Sequence, residues 1–170
     1  MKVILITGSM GCGKTTVLGE ASDILAARDI EHAAIDLDWL GNVHLHKEVT
    51  NPGLVYRNLA LVWRNYAALG LTRLLLANAV ETQMELQSCR DALPHAEIVV
   101  CRLTADLQTM QERVRVREPG GRQETYVARV AELEVLLDRA GIESISIRNQ
   151  DRSVTEVARD LLVRTGWLAE

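Results

Sequence analysis

The feature that most constrains this chain is a glycine-rich segment near its amino terminus, residues 8–15, with the sequence GSMGCGKT. It fits the phosphate-binding pattern G-x-x-x-x-G-K-[ST] at every fixed position. Glycines let the backbone wrap closely around an anion, with N–H groups pointing inward. An apolar segment over 2–7 precedes the loop, and apolar residues recur at helical spacing over 16–28. A strand, a glycine-rich turn and a helix in this order predict a site for the phosphates of a nucleotide.

The loop residues have distinct expected roles. Lys14 should reach the β- and γ-phosphates, and the Thr15 hydroxyl should contact Mg²⁺. The helix that follows directs its unpaired N–H groups and the positive end of its dipole toward the same anion. Cys12 is interpreted as spacing within the loop, not as a nucleophile. The predicted nucleotide-binding residues are Gly8, Ser9, Met10, Gly11, Cys12, Gly13, Lys14, Thr15 and Thr16.

Composition narrows the class of protein. The 170 residues predict one domain, 1–170, and the formal net charge of −4 argues against a basic nucleic-acid-binding surface. Three cysteines without metal-type spacing predict reduced thiols in a cytoplasmic protein. The first apolar run is too short for a signal peptide or a membrane span, so no membrane partner is expected. Whether the protein is a monomer or a homodimer stays open.

Apolar runs alternate with helical patterns along the chain, which predicts βαβ units and a parallel sheet covered on both faces. The predicted strands are 3–7, 32–37, 73–77, 97–103 and 144–148. The predicted helices are 14–28, 53–69, 82–92, 105–117, 124–140 and 153–165. The sequence Glu-Pro-Gly-Gly at 118–121 interrupts the helical pattern, and a mobile lid is predicted at about 118–124.

With its loop at the first βα turn, the chain resembles the small P-loop kinases, which include the shikimate, gluconate, adenylylsulfate and nucleoside monophosphate kinases. The resemblance covers nearly the whole chain and rests on the loop, on Asp-Leu-Asp at 36–38, on the arginine series 113–117 and on Asn-Gln-Asp at 149–151. It implies a three-layer α/β/α fold with a five-stranded parallel sheet in the order 2-3-1-4-5. It also implies ATP and Mg²⁺ as cofactors, and a small-molecule phosphoryl acceptor. No acceptor-binding motif of a single member is present, so the acceptor is not implied.

The acidic pair falls where the second strand is predicted to end. Ligands of parallel sheets bind outside the carboxyl ends of the strands, so Asp36 and Asp38 should face the phosphate site. A period of two puts both on one face if the strand continues that far. The resemblance implies that Asp36 lies near Mg²⁺ and that Asp38 meets the acceptor; which of them acts as general base stays open. The alternative is a solvated loop in which Asp38 caps a helix.

Two arginines, Arg113 and Arg117, are four residues apart and share one face of a helix. Guanidinium groups stack on rings and bind phosphate oxygens. The resemblance implies that Arg113 stacks on adenine and that Arg117 meets the phosphates as part of the catalytic set. The alternative is solvated helix charge. Arg57, on the second predicted helix, is a candidate ligand for an anionic acceptor, with surface charge as the alternative.

Weaker signals concern single residues. Trp39 is expected either to wall the acceptor pocket or to belong to the core. Glu81 is interpreted as the end of the third strand, with a supporting role at Mg²⁺ or the acceptor. His44 and His46 are two apart, a poor geometry for a shared metal.

These signals together favour an ATP-dependent kinase acting on a metabolite hydroxyl. One alternative is a nucleoside monophosphate kinase, with a second phosphate clamp around Arg57. Another, from a different class, is a nucleotide-binding regulatory module without robust catalysis.

Overall fold

A computed structural model describes residues 1–43 and 53–169. The strands are β1 (Lys2–Thr7), β2 (Ala33–Asp36), β3 (Arg73–Ala77), β4 (Glu97–Thr104) and β5 (Ile145–Arg148). The helices are α1 (Lys14–Ala26), α2 (Leu37–Leu40), α3 (Leu54–Ala68), α4 (Gln83–Ala92), α5 (Leu107–Arg117), α6 (Gln123–Ala140) and α7 (Val154–Arg164). Within these ranges no helix has the length and apolar character needed to cross a membrane.

The five strands form one parallel sheet in the order β2-β3-β1-β4-β5. This order confirms the predicted fold class. β1 lies in the centre, with β3 and β4 as its two neighbours, so the chain changes direction across the sheet beside β1. In parallel sheets ligands bind outside the carboxyl ends of the strands at such a point. The loop that follows β1 and the acidic residues that follow β2 therefore lie at the same edge.

Alternate residues of the strands face two separate cores, because successive side chains of a strand point to opposite faces. On one face, Ile4 and Ile6 pack with side chains of α1 and α7. On the other face, Val3 and Leu5 pack with side chains of α3 and α4. Burial on both faces explains why the strands are continuous apolar runs, as predicted.

The chain departs from the predicted pattern after β2. The predicted strand 32–37 ends at Asp36, and α2, which was not predicted, begins at Leu37. Asp36 has extended backbone angles, and its side chain accepts a hydrogen bond from the Asp38 N–H at 3.1 Å. That contact makes Asp36 the N-cap of α2. Because β2 ends at Asp36, the condition under which a period of two would place both aspartates on one strand face is not met, and the helix cap that the alternative gave to Asp38 is Asp36.

Helix α6 is anchored behind the phosphate-binding loop. Arg102 of β4 is only 5% exposed and forms ion pairs with Glu134 at 3.1 Å and Asp138 at 2.6 Å, both on α6. The hydroxyl of Ser9 donates a hydrogen bond to the Val130 carbonyl, also on α6, at 2.9 Å. The sheet and the loop thus hold the middle and the carboxyl-terminal half of α6.

Candidate active site

The loop after β1 has a backbone that only glycine accommodates well. Gly8, Gly11 and Gly13 have φ values of 140°, 77° and 98°, which L side chains rarely adopt. A Cβ atom at Gly8 would lie 2.5 Å from the Leu103 carbonyl oxygen and 2.7 Å from the Cys12 Sγ. The loop therefore packs against β4 too closely to admit a side chain there.

Two loop side chains point away from the cleft. Ser9 is fully buried, and its hydroxyl donates a hydrogen bond to the Val130 carbonyl of α6. Cys12 is buried in the core, and this burial raises the pKa of its thiol. A thiol held in its protonated form is a poor nucleophile, in keeping with the interpretation of Cys12 as spacing. Both residues can offer a bound phosphate their backbone atoms only.

Lys14 and Thr15 begin helix α1 at the mouth of the loop. The Lys14 ammonium donates hydrogen bonds to the Gly8 carbonyl at 2.9 Å and to the Ser9 carbonyl at 3.0 Å, so it lies over the loop. The Thr15 Oγ1 donates to the Asp36 Oδ2 at 2.6 Å. A hydroxyl and a carboxylate are oxygen ligands of the kind that Mg²⁺ prefers. Thr15 and Asp36 therefore fit the role of holding Mg²⁺ next to phosphates.

Two adjoining cavities open at the carboxyl edge of the sheet. The smaller, which we call the loop cavity, has a volume of about 110 Å³ and is lined by Met10, Gly11, Gly13, Lys14, Thr15, Thr16, Asp38 and Arg117. The larger, the outer cavity, has a volume of about 640 Å³ and is lined by Thr15, Thr16, Asp36, Asp38, Trp39, Asn42, Arg117, Glu118 and Tyr126. Because several residues line both, the two cavities form one continuous cleft.

Arg113 joins the loop to the end of β5. Its guanidinium donates to the Gly11 carbonyl at 3.2 Å and to the Asn149 carbonyl at 3.1 Å. The side-chain amide of Asn149 donates to the Cys12 carbonyl at 2.7 Å, which adds a second link. No role in holding the loop was predicted for the Asn149 side chain, so this contact was missed. The place of Asn149 at the carboxyl end of β5 was the available signal.

Arg117 lies one helical turn after Arg113 and lines both cavities. Its Nε donates to the Glu118 Oε1 at 2.9 Å, and its side chain is 57% exposed. The helix thus brings both predicted arginines to the cleft side of α5, as their spacing requires. The lid predicted at 118–124 corresponds to a short connection, 118–122, after which α6 begins.

Asp38 has an unusual electrostatic environment. Loss of solvent around its carboxyl raises the pKa above the ordinary value of 3.8, and the negative charge of Asp36 raises it further. Lys14 and Arg117 act in the opposite direction and are outweighed. Ionised Asp38 is therefore a destabilising group in the folded protein.

Substitution of Asp38 by asparagine is expected to raise the free energy of unfolding at pH 7. Because the folded-state pKa is raised, the penalty is absent below pH 3.8 and grows as pH rises through the folded-state pKa. The gain should stay below about 1 kcal/mol, since the residue is solvent-accessible and screened. Urea denaturation at a series of pH values measures it. Asp91→Asn, an exposed residue of α4, is the control; equal effects of both variants across the pH series would contradict the prediction.

Some predicted residues lie elsewhere. Arg57 is not among the described residues that line either cavity; it lines a separate cavity of about 320 Å³ with Tyr56, Ser88 and Asp91. Its position in the first turn of α3 directs it toward α4. The interpretation of Glu81 as the end of the third strand is wrong, because β3 ends at Ala77. The Glu81 carboxylate accepts two hydrogen bonds from the Arg129 Nη2, at 2.8 and 2.9 Å.

Other residues take places that the sequence left open or did not indicate. Trp39 is 76% exposed and lines the outer cavity, so its assignment to the core is wrong. Asn42, Glu118 and Tyr126 also line that cavity, and no spacing in the sequence pointed to them. His44 and His46 lie outside the described residues.

No protein-family model and no curated protein sequence matches the chain. Several solved structures do match over almost its whole length. A gluconokinase from Sinorhizobium meliloti 1021 is 17% identical, with a TM-score of 0.63, over 99% of this chain and 93% of the other. The APS kinase of Mycobacterium tuberculosis, in complex with AMPPNP and APS, is 21% identical, with a TM-score of 0.64 and 98% of both chains covered. The shikimate kinase of Acinetobacter baumannii, in complex with shikimate, is 17% identical, with a TM-score of 0.60, over 96% of this chain and 91% of the other.

These matches show a fold. The chain has the fold of the small P-loop kinases, in agreement with the resemblance predicted from its motifs. A fold of this kind is shared by proteins with different substrates, so what this chain does must be argued from its site.

Proposed function

We propose that the protein is an ATP-dependent phosphotransferase that transfers the γ-phosphoryl group to a hydroxyl of a small molecule. The observation that carries this proposal is the hydrogen bond of 2.6 Å between Thr15 of the loop and Asp36 at the end of β2. A loop that only held a phosphate would not need a carboxylate beside its threonine. A carboxylate there supports metal binding next to the transferred group.

The cationic groups supply electrostatic stabilisation. Phosphoryl transfer needs positive charge around the transferring group, and there is little covalent chemistry for the protein to perform. Lys14, next to the loop backbone, and Arg117, on the wall that both cavities share, are the described cations suited to this role. Mg²⁺, held by Thr15 and Asp36, would neutralise negative charge on the phosphates.

The acceptor would bind in the outer cavity, with Asp38 as its general base. Both oxygens of the Asp36 carboxylate already accept hydrogen bonds, from the Thr15 hydroxyl and the Asp38 N–H. Partial loss of solvent and the charge of Asp36 raise the pKa of Asp38, and a raised pKa makes its carboxylate a better proton acceptor. The acceptor oxygen forms a bond to the γ-phosphorus while the bond from that phosphorus to the bridging oxygen breaks. The hydroxyl proton passes to Asp38, and ADP leaves.

The alternative of a nucleoside monophosphate kinase has less support. A monophosphate acceptor needs cations for its phosphate group. Among the described residues that line the outer cavity, Arg117 is the only cation, and Arg57 lines another cavity. A neutral hydroxyl makes no such demand, so a metabolite hydroxyl remains the favoured acceptor.

The experiment that tests the proposal is ADP formation from Mg·ATP in the presence of pooled hydroxyl metabolites, with nucleoside monophosphates as a separate pool. ADP should form faster in at least one metabolite pool than without any acceptor. The Lys14→Ala protein, prepared in the same way, gives the background. Tight nucleotide binding without stimulation by any pool would contradict the proposal and support a regulatory module instead.

A further inference from the structure

The outer cavity is predominantly acidic. Asp36, Asp38 and Glu118 line it, and Arg117 is the only cationic side chain among its described lining residues. Arg117 is already paired with Glu118 through a hydrogen bond of 2.9 Å. The described lining residues therefore present more negative than positive charge to a ligand of this cavity.

The same cavity has aromatic walls. Trp39, directly after Asp38 on α2, is 76% exposed, and Tyr126 lines the cavity from α6. The volume of about 640 Å³ is that of a pocket for a small organic molecule. An exposed indole beside a carboxylate offers a ring face for apolar contact and for a cation. These features favour a ligand with a ring and argue against a purely ionic one.

An acceptor in the outer cavity can interact only with charged side chains that are not already engaged in other contacts. Asp36 is occupied by Thr15 and by the cap of α2, and Arg117 is shared with Glu118 and with the phosphate side of the cleft. Among the described residues Asp38 forms no ion pair, and Lys14 and Arg117, which line the loop cavity with it, offset only part of its charge toward the acceptor. A bound nucleotide adds further negative charge at the neighbouring loop, which the Mg²⁺ proposed at Thr15 and Asp36 would neutralise only in part. A carboxylate or phosphate on the acceptor would be repelled from both sides.

We infer that the acceptor is an amine-bearing or uncharged hydroxyl compound with a ring face, and that Asp38 and Glu118 select against anionic acceptors. This inference rests on the proposed function and names its substrate class. Gluconate and shikimate, by contrast, are carboxylates. The acidic residues thus act as specificity determinants, and Trp39 acts as the contact surface for the ring.

The charge of the cavity can be measured without a known substrate. Collisional quenching of tryptophan fluorescence by caesium and iodide ions, at low and constant ionic strength, reports the local potential. Of the three tryptophans, Trp39 is the exposed one. Its contribution to the fluorescence and its quenching is the difference between the wild type and Trp39→Phe. The quenching constant of Trp39 for caesium, divided by that for iodide and normalised to the same ratio for free tryptophan, should be about five. This factor corresponds to about 1 kcal/mol, the free energy of one screened ion pair. In Asp38→Asn/Glu118→Gln the ratio should fall toward one. Equal quenching in the wild type, or better quenching by iodide, would overturn the inference.

The acceptor class is tested by turnover with compounds sorted by charge. Gluconate and shikimate form the anionic pool, glucose and inositol the neutral pool, and glucosamine and ethanolamine the amine pool, with a broader set of each class added. ADP formation should be stimulated by the amine or neutral pool and not by the anionic one. Stimulation by the anionic pool alone would overturn this inference and leave the phosphotransferase intact. No stimulation by any pool would overturn both.

Discussion

Replacing Lys14 by alanine is expected to lower acceptor-dependent ADP formation by roughly 10²–10³-fold while leaving the fold intact. The Lys14 ammonium lies over the loop, within hydrogen-bond distance of the Gly8 and Ser9 carbonyls. In the proposed function it is the charge that stabilises the transferring phosphoryl group. Its two hydrogen bonds are local and partly exposed, so their loss should change stability little. Steady-state kinetics and thermal unfolding of the same preparation measure both quantities.

Lys2→Ala is the matched control for this variant. Lys2 is an exposed residue of β1, so its replacement also removes one positive charge but leaves the loop untouched. It should retain wild-type turnover. Unchanged turnover in Lys14→Ala would reject the assigned role of the loop. A large loss of stability in Lys14→Ala would instead show that the lysine holds the loop together.

The Asp36→Asn variant is expected to lower kcat by roughly 10²-fold or more, with only a modest loss of ATP binding. Asparagine is as good an N-cap as aspartate, so α2 should still begin after residue 36. Asparagine has a single acceptor oxygen; when that oxygen caps the Asp38 N–H, the amide N–H₂ faces the Thr15 hydroxyl and donates to it. The substitution therefore removes the negative charge and reverses the direction of one hydrogen bond. Because that charge holds Mg²⁺ in the proposed site, the variant should also need more Mg²⁺ for half-maximal turnover.

Asp91→Asn provides the corresponding control. Asp91 is exposed on α4 and accepts a hydrogen bond from Gln87 at 2.8 Å, which asparagine can also accept. Both variants lose one carboxylate and retain a hydrogen-bond acceptor, so only the position differs. Magnesium titrations of kcat, with calorimetry of nucleotide binding, distinguish them. Wild-type kcat and an unchanged magnesium requirement in Asp36→Asn would remove Asp36 from the mechanism.

The contrast between Asp36 and Asp38 shows how the fold gives two similar residues different surroundings. Asp36 is fixed by two hydrogen bonds at the end of β2, whereas Asp38 lies in the first turn of α2 and lines both cavities. If Asp38 had followed Asp36 along a strand, both carboxylates would have faced the same way. In the proposed mechanism, the turn into α2 is what lets Asp36 serve the metal and Asp38 the acceptor.

Much of the architecture was predictable from the sequence alone. Each of the six predicted helices is present with its ends within two residues, and the third strand, Arg73–Ala77, has the predicted bounds. Periodicity determines which residues are buried, and strands buried on both faces must be continuously apolar. The phosphate-binding loop was equally predictable from the sequence, because Gly8, Gly11 and Gly13 have backbone angles that few other residues adopt.

The walls of the outer cavity were decided by the tertiary structure. Trp39 is distant in sequence from Glu118 and Tyr126, and they line one cavity only because α2 lies beside the connection from α5 to α6. The packing of α3 on the sheet likewise determines that the Arg57 side chain lies toward α4 and not toward the outer cavity. Local patterns encode burial and backbone conformation, which depend on near neighbours in the chain. The chemistry of a pocket depends on how whole helices dock, and no short segment contains that information.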